Sequence, residues 1–268
     1  METRLIQGDS IQVPLDDDSV DLVFCSPPYE AARTYGIGFK LKGDEWVQWA
    51  ADRYMEHLRV CKGLVAWVVE GQTRKFQYSC APILLMAELH KRGVKLRKPP
   101  AYRRNGIPGS GGPDWLRNDY EFIICGTKNG RLPWSDNTAM GHPPKYAPGG
   151  NLTHHRTGDN KRLVDQPFKQ PKIANPGNVI DCGAVGGGNI GSPIAHENEA
   201  PFPEKLADFF IRSFCPPGGM VLDPFGGSGT TLAAAIKSGR SAIGMDIRES
   251  QIKLMERRIE EANANKEI

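Results

Sequence analysis

The six cysteines, Cys25, Cys61, Cys80, Cys125, Cys182 and Cys215, are scattered through 268 residues, and none belongs to a Cys-x-x-Cys pair. No histidine stands beside them at ligand spacing, so neither a zinc site nor any other metal centre nor a disulfide framework is expected. Long apolar runs are also missing. Nothing approaches the roughly 20 apolar residues of a membrane-spanning helix, and Met1-Glu2-Thr3-Arg4 carries no apolar signal region. The chain is therefore expected to be soluble and cytoplasmic, with no membrane partner. Charge is nearly balanced: 34 Lys and Arg against 31 Asp and Glu leave a net +3. That permits a polyanionic partner without requiring one.

Glycine and proline are plentiful, 30 and 21 residues, and they cluster into long loops. The length suits one large domain with an insertion rather than two equal domains. Residues 131–195 are rich in Gly, Pro, Asn and His and poor in apolar runs, the composition of a stretch that is either functional or disordered. No internal repeat is present.

Apolar patterning predicts a short strand in 4–9, stopped by Gly8-Asp9, then buried strands over 20–25, 63–69, 121–126, 220–223 and 241–245. Helical spacing covers 45–60, 82–92, 250–263 and the stretch after Pro203, where Leu206, Phe209, Phe210 and Phe214 share a face. Two stretches carry the chemistry.

The first is Ser26-Pro27-Pro28-Tyr29, at the end of the 20–25 strand. Consecutive prolines fix two φ angles and remove two N–H donors. The result is a rigid, carbonyl-rich turn followed by an aromatic ring, suited to gripping a planar group that carries an NH₂. The second is Asp223-Pro224-Phe225-Gly226-Gly227-Ser228-Gly229-Thr230-Thr231, between a strand and a helix. A further strand then ends in Asp246. Strand, glycine-rich turn, helix, strand and terminal acid form a nucleotide-binding βαβ unit, with Asp246 placed for ribose hydroxyls. By itself this unit also fits a dehydrogenase. The turn lacks Gly-x-Gly-x-x-Gly spacing, however, and no Gly-Lys-Ser/Thr of a phosphate-binding loop follows. Asp223 would repel a pyrophosphate but could hold an ammonium. S-adenosylmethionine has both a ribose and an ammonium.

These two motifs resemble the paired motifs of exocyclic-amino DNA methyltransferases, and Phe202-Pro203-Glu204-Lys205-Leu206 resembles the segment preceding the cofactor motif in that family. One departure is that His196 is followed by Glu197-Asn198-Glu199, where members often have His-Pro. The order, catalytic motif first and cofactor motif last, matches the circularly permuted beta group. The resemblance implies a doubly wound, mostly parallel, seven-stranded α/β sheet with an irregular inserted recognition region. Residues 1–130 would form the catalytic half, 131–195 the target-recognition insertion and 196–268 the cofactor half. The strand at 5–8 would be the third of that sheet, 20–25 the fourth, 220–222 the first and 241–245 the second.

The resemblance further implies catalysis by Ser26, Pro27, Pro28 and Tyr29. S-adenosylmethionine would be bound by Asp9, Phe202, Glu204, Lys205, Asp223, Pro224, Phe225, Gly226, Gly227, Ser228, Gly229, Thr230 and Asp246. The partner is double-stranded DNA whose target base is flipped into the site, with Tyr29 stacking on it. In the family, Ser in the first motif position goes mainly with N4 of cytosine; N6 of adenine is the alternative. No Pro-Cys dipeptide occurs, so nothing resembles the nucleophilic loop that attacks carbon 5 of cytosine. A nicotinamide-dependent oxidoreductase would leave Ser26-Pro27-Pro28-Tyr29 unexplained. An RNA or protein-amide methyltransferase would normally keep the cofactor motif first.

DNA contacts are expected from three places. The loop after Tyr29 carries Arg33, Tyr35 and Lys40. From Lys91 to Arg104 there are seven Lys or Arg and no acid, so Arg103 and Arg104 join a Gly-rich loop bearing Trp115 and Arg117. His154, His155 and Arg156 lie in the insertion. A cognate restriction endonuclease, and a monomeric or homodimeric state, stay open at this level.

Overall fold

A computed structural model describes residues 1–31, 38–104, 112–144, 159, 171–183 and 190–265. The strands are β1 (Thr3–Gln7), β2 (Val20–Cys25), β3 (Cys61–Val69), β4 (Thr73–Arg74), β5 (Gln77–Tyr78), β6 (Lys95–Leu96), β7 (Ala101–Arg103), β8 (Tyr120–Thr127), β9 (Val179–Asp181), β10 (Met220–Asp223) and β11 (Ser241–Asp246). The helices are α1 (Gly43–Val60), α2 (Ala81–Lys91), α3 (Glu204–Phe214), α4 (Thr230–Lys237) and α5 (Glu249–Ala264).

Leu22–Cys25 of β2 and Leu64–Val69 of β3 are continuous apolar runs because helices cover both faces of the sheet. Along β2 the side chains alternate: Val23 and Cys25 pack with Trp46, Ala50 and Tyr54 of α1 and Leu85 of α2. Leu22 and Phe24 face the other way, into Leu206 and Phe210 of α3, Leu232 of α4 and Met255 of α5. Phe24 stacks on Phe210, with ring centroids 4.9 Å apart. Burying each such ring is worth about 2–3 kcal/mol. No helix among the described residues is long and apolar enough to cross a membrane.

The main sheet runs β1-β11-β10-β2-β3-β8-β7-β9, with β6 also on β8. The order β1-β11-β10-β2 is that expected for the third, second, first and fourth strands. From β1 to β3 all neighbours are parallel; β8 is antiparallel to β3, β6 and β7. Among the described residues this sheet has nine strands where seven were expected. The two-residue β6 and the edge strand β9 account for the excess. β9 lies inside 131–195 and pairs in parallel with β7, so that stretch, expected to be irregular, is partly sheet.

One turn is unusual. Lys75 and Phe76, between β4 and β5, have φ of 49° and 64°. Left-handed backbone costs a residue with a Cβ about 1–2 kcal/mol.

A cleft at the switch point of the sheet

The chain leaves β10 toward β11 and β1 on one side, and β2 toward β3 on the other. β10 and β2 are parallel neighbours, with Val221 opposite Leu22 and Leu222 opposite Val23. Their carboxyl ends therefore deliver Ser26 and Pro224 side by side, at the crevice where open α/β sheets bind ligands. A cleft of about 750 Å³ opens there, within the usual range for a ligand site. Residues 8–10, 26–29, 70–74, 198, 200–203, 224–228 and 246–248 line it, among others.

The glycine-rich turn is built for close approach. Gly227 and Gly229 have φ of 47° and 72°; a Cβ on Gly226 would meet Met255 Sδ at 2.2 Å. The Gly227 N–H donates to Asp246 Oδ2 (3.1 Å), and the Arg248 N–H to Asp246 Oδ1 (3.0 Å). Asp246 is thus fixed at the tip of β11 on the cleft wall, as a ribose-binding acid needs. Asn198 and Glu199 hold the Arg248 guanidinium, Glu199 at 2.8 Å and Asn198 at 3.5 Å. The segment that departs from His-Pro is therefore docked against the same turn.

The Ser26–Tyr29 loop is braced from two sides, by α1 and by β8. The Trp46 indole N–H donates to the Pro28 carbonyl (2.9 Å). Ser26 Oγ donates to Tyr29 Oη (3.3 Å), and Tyr29 Oη to Glu121 Oε2 (2.9 Å). Glu121, 6% exposed, also accepts from Arg104. Phe202 sets its ring edge on Phe24, centroids 5.4 Å apart. Glu70, buried at the end of β3 and on the cleft wall, is held above the usual carboxylate range by burial and by Glu121, against hydrogen bonds from Tyr78 and Gly71. Cys25, just before Ser26, is buried, and burial together with the Asp223 charge keeps it a thiol.

Of the residues expected to bind cofactor, Asp9, Phe202, Pro224, Phe225, Gly226, Gly227, Ser228 and Asp246 line the cleft. The others do not. Asp223 is 2% exposed; its carboxylate accepts from the Phe225 N–H (3.1 Å). Burial raises its pKa to about 7, so it braces the turn from within rather than facing a ligand. Glu204 points to Arg258 of α5 (3.1 Å) and Lys237 of α4 (2.6 Å), because α3 packs against α4. Lys205 is exposed on the far side of that turn. Gly229 caps α4, and Thr230 Oγ1 is bonded to Ser228 Oγ (2.8 Å).

The expected DNA contacts divide likewise. Arg33, Tyr35, His154, His155 and Arg156 fall outside the described residues. Lys40, Arg103, Trp115 and Arg117 are exposed, Arg117 in an ion pair with Asp119 (2.8 Å). Arg104 turns inward instead, spent on Glu121 in the cleft wall. Arg92 of the same basic run bridges Asp52 (2.6 Å) and Glu88 (2.9 Å). Glu70 and Glu121 were not anticipated as site residues; an acid interrupting the edge of an apolar run was their signal. Trp49 and Arg53, also on the wall, sit on α1, where the sequence predicted a helix and no site residue, with Arg53 ion-paired to Asp9 (2.8 Å).

A family model described as DNA methylase matches residues 20–257. The chain is 27% identical to the DNA adenine methyltransferase YhdJ of Escherichia coli (strain K12), over 97% of this chain and 83% of YhdJ. It is 36% identical to the type II methyltransferase M.ScaI of Streptomyces caespitosus, over 97% and 82%. Among solved structures, the PvuII DNA methyltransferase (cytosine-N4-specific) superposes with a TM-score of 0.71 at 18% identity, covering 98% of this chain and 91% of that one. This last likeness speaks for the fold.

Proposed function

The chain belongs to the N6/N4 DNA methylase family, and we propose that it moves a methyl group from S-adenosylmethionine to N4 of a cytosine flipped out of double-stranded DNA. The observation that carries this reading is the convergence of Ser26–Tyr29 and Pro224–Ser228 on one cleft, from adjacent parallel strands. The cofactor fits the residues present. Gly226 and Gly227 leave the wall without side chains, Asp246 offers a carboxylate for ribose hydroxyls, and Phe202 and Phe225 bring apolar rings. When bound, S-adenosylmethionine supplies an electrophilic methyl on a sulfonium.

The chain's own residues do the rest by positioning. The amine of cytosine is a poor nucleophile because its lone pair is delocalised into the ring. Acceptors at Ser26 Oγ and the Pro27 carbonyl hydrogen-bond its protons and favour a pyramidal, more nucleophilic nitrogen. The Tyr29 ring stacks on the flipped base, and Glu121 holds that ring by its hydroxyl (2.9 Å). No covalent enzyme intermediate is needed, in keeping with the buried, protonated Cys25.

Ser26 in the first motif position supports cytosine. The likeness to YhdJ, whose name specifies adenine, supports N6 of adenine as a second reading. The three-part division, with 131–195 as target recognition, is retained in this reading. The likeness to a type II methyltransferase supports a cognate restriction endonuclease as companion and cytoplasmic work on DNA. Ser26→Ala and Tyr29→Ala, assayed with a labelled methyl donor on unmethylated DNA, are expected to lose at least a hundredfold in transfer. Calorimetric cofactor affinity should stay within a few-fold. Undiminished transfer by both variants overturns the assignment.

A further inference from the structure

The β4–β5 hairpin stands at the rim of the cleft. Its ladder pairs Thr73 with Tyr78 and Arg74 with Gln77, leaving Lys75 and Phe76 alone at the tip. Both are left-handed, the backbone of a two-residue type I′ turn, for which Asn-Gly is the favoured choice. Phenylalanine gains nothing there by packing, since it is 78% exposed. Strained backbone that holds a large apolar ring in water points to a partner for that ring.

The base of the hairpin is fixed to the catalytic loop. Gln72 Nε2 donates to the Glu30 carbonyl, and Arg74 to the Ala31 carbonyl (2.8 Å); these are the two residues that follow Tyr29. Tyr78 Oη donates to Glu70 Oε1 (2.8 Å). A Cβ on Gly71 would meet the Tyr78 ring at 2.7 Å, so the strand ends are packed tightly together. Residues 70–74 line the cleft itself. No acid occurs in 71–78, while Arg74 and Lys75 flank the ring with positive charge.

We propose that Phe76 is a DNA wedge that enters the base stack beside the target nucleotide while the target base occupies the cleft. The proposal rests on the reading of the chain as a DNA methyltransferase. Extruding a base leaves a gap in the stack, and an apolar side chain inserted there recovers part of the lost stacking. Arg74 and Lys75 meet the flanking phosphates.

The test uses the full chain and a duplex carrying its site, once mapped, either fully paired or mismatched at the target base. Phe76→Gly keeps the hairpin, because glycine favours the left-handed backbone; Phe76→Trp keeps a ring. Methyl transfer by Phe76→Gly is expected to fall at least tenfold on the paired duplex, about 1.4 kcal/mol. On the mismatched duplex, where flipping is already easy, it should stay within twofold of wild type. Phe76→Trp should hold its rate on both. An unchanged rate on the paired duplex, or equal losses on both, overturns the wedge. If no site can be mapped because the wild-type chain methylates no DNA, it is instead the methyltransferase reading on which the wedge rests that is refuted.

Discussion

Replacing Asp223 by Asn should make the protein more stable at alkaline pH, although it removes a charge beside the cofactor turn. In the folded chain the Asp223 carboxyl is sealed from water and its pKa rises from 3.8 to about 7, burial being the main cause and the Asp246 charge adding to it. Between those two values the folded state keeps a proton that the unfolded chain has released. The folded state then binds more protons, so stability falls as pH rises through this window and levels off above it. At 1.36 kcal/mol per pH unit the full interval comes to about 4 kcal/mol, of which about 2–3 kcal/mol falls between pH 5 and pH 8. Asparagine has the same shape and can still accept from the Phe225 N–H, without the cost of burying an anion. Urea denaturation of wild type and Asp223→Asn at pH 5 and pH 8 measures this directly. The variant should gain on wild type by about 2–3 kcal/mol between the two pH values. Parallel pH dependences in the two proteins would refute the reasoning, because they would mean that the carboxylate is ionised in the fold without penalty.

Further outcomes follow from the same geometry. Glu204→Gln leaves the Arg258 guanidinium, 1% exposed, with Glu261 as its remaining carboxylate among the ion pairs of the described residues (2.6 Å). A loss of about 2–4 kcal/mol in urea is expected, with the cofactor affinity of the folded protein unchanged by calorimetry; a selective loss of affinity would return Glu204 to the binding site. Tyr29→Phe keeps the ring but removes its bond to Glu121 (2.9 Å). In steady-state assays kcat should fall three- to tenfold with little change in cofactor KM, whereas Tyr29→Ala should cost at least a hundredfold.

The parts of the fold legible in the sequence were those set by local chemistry. β2 and β10 are short apolar runs stopped by Ser-Pro-Pro and Asp-Pro, so their ends fall where the prolines forbid more ladder. Their neighbouring places in the sheet were implied by the family resemblance, and the register of Leu22 with Val221 bears this out. What escaped depended on partners distant in sequence. Arg104 reads as one more cation in a basic run, and its commitment to Glu121 appears only when β7 pairs with β8. Asp223 and Glu204 bear the right charge for a cofactor, yet burial seals Asp223, and the docking of α3 on α4 commits Glu204 to Lys237 and Arg258. The β4–β5 hairpin was invisible because Lys75-Phe76 carries none of the Gly or Asn that marks such a turn. A functional residue holding a strained position is the kind of place where local rules fail.

The central claim, methylation of an exocyclic amine in DNA, is tested most directly by expressing the chain in a host without DNA methylation and weighing the nucleosides of its digested DNA. N4-methylcytosine is the predicted product, present with the wild-type chain and absent with Ser26→Ala. N6-methyladenine in its place would contradict the choice of base, and DNA with no new methylated nucleoside would contradict the account as a whole.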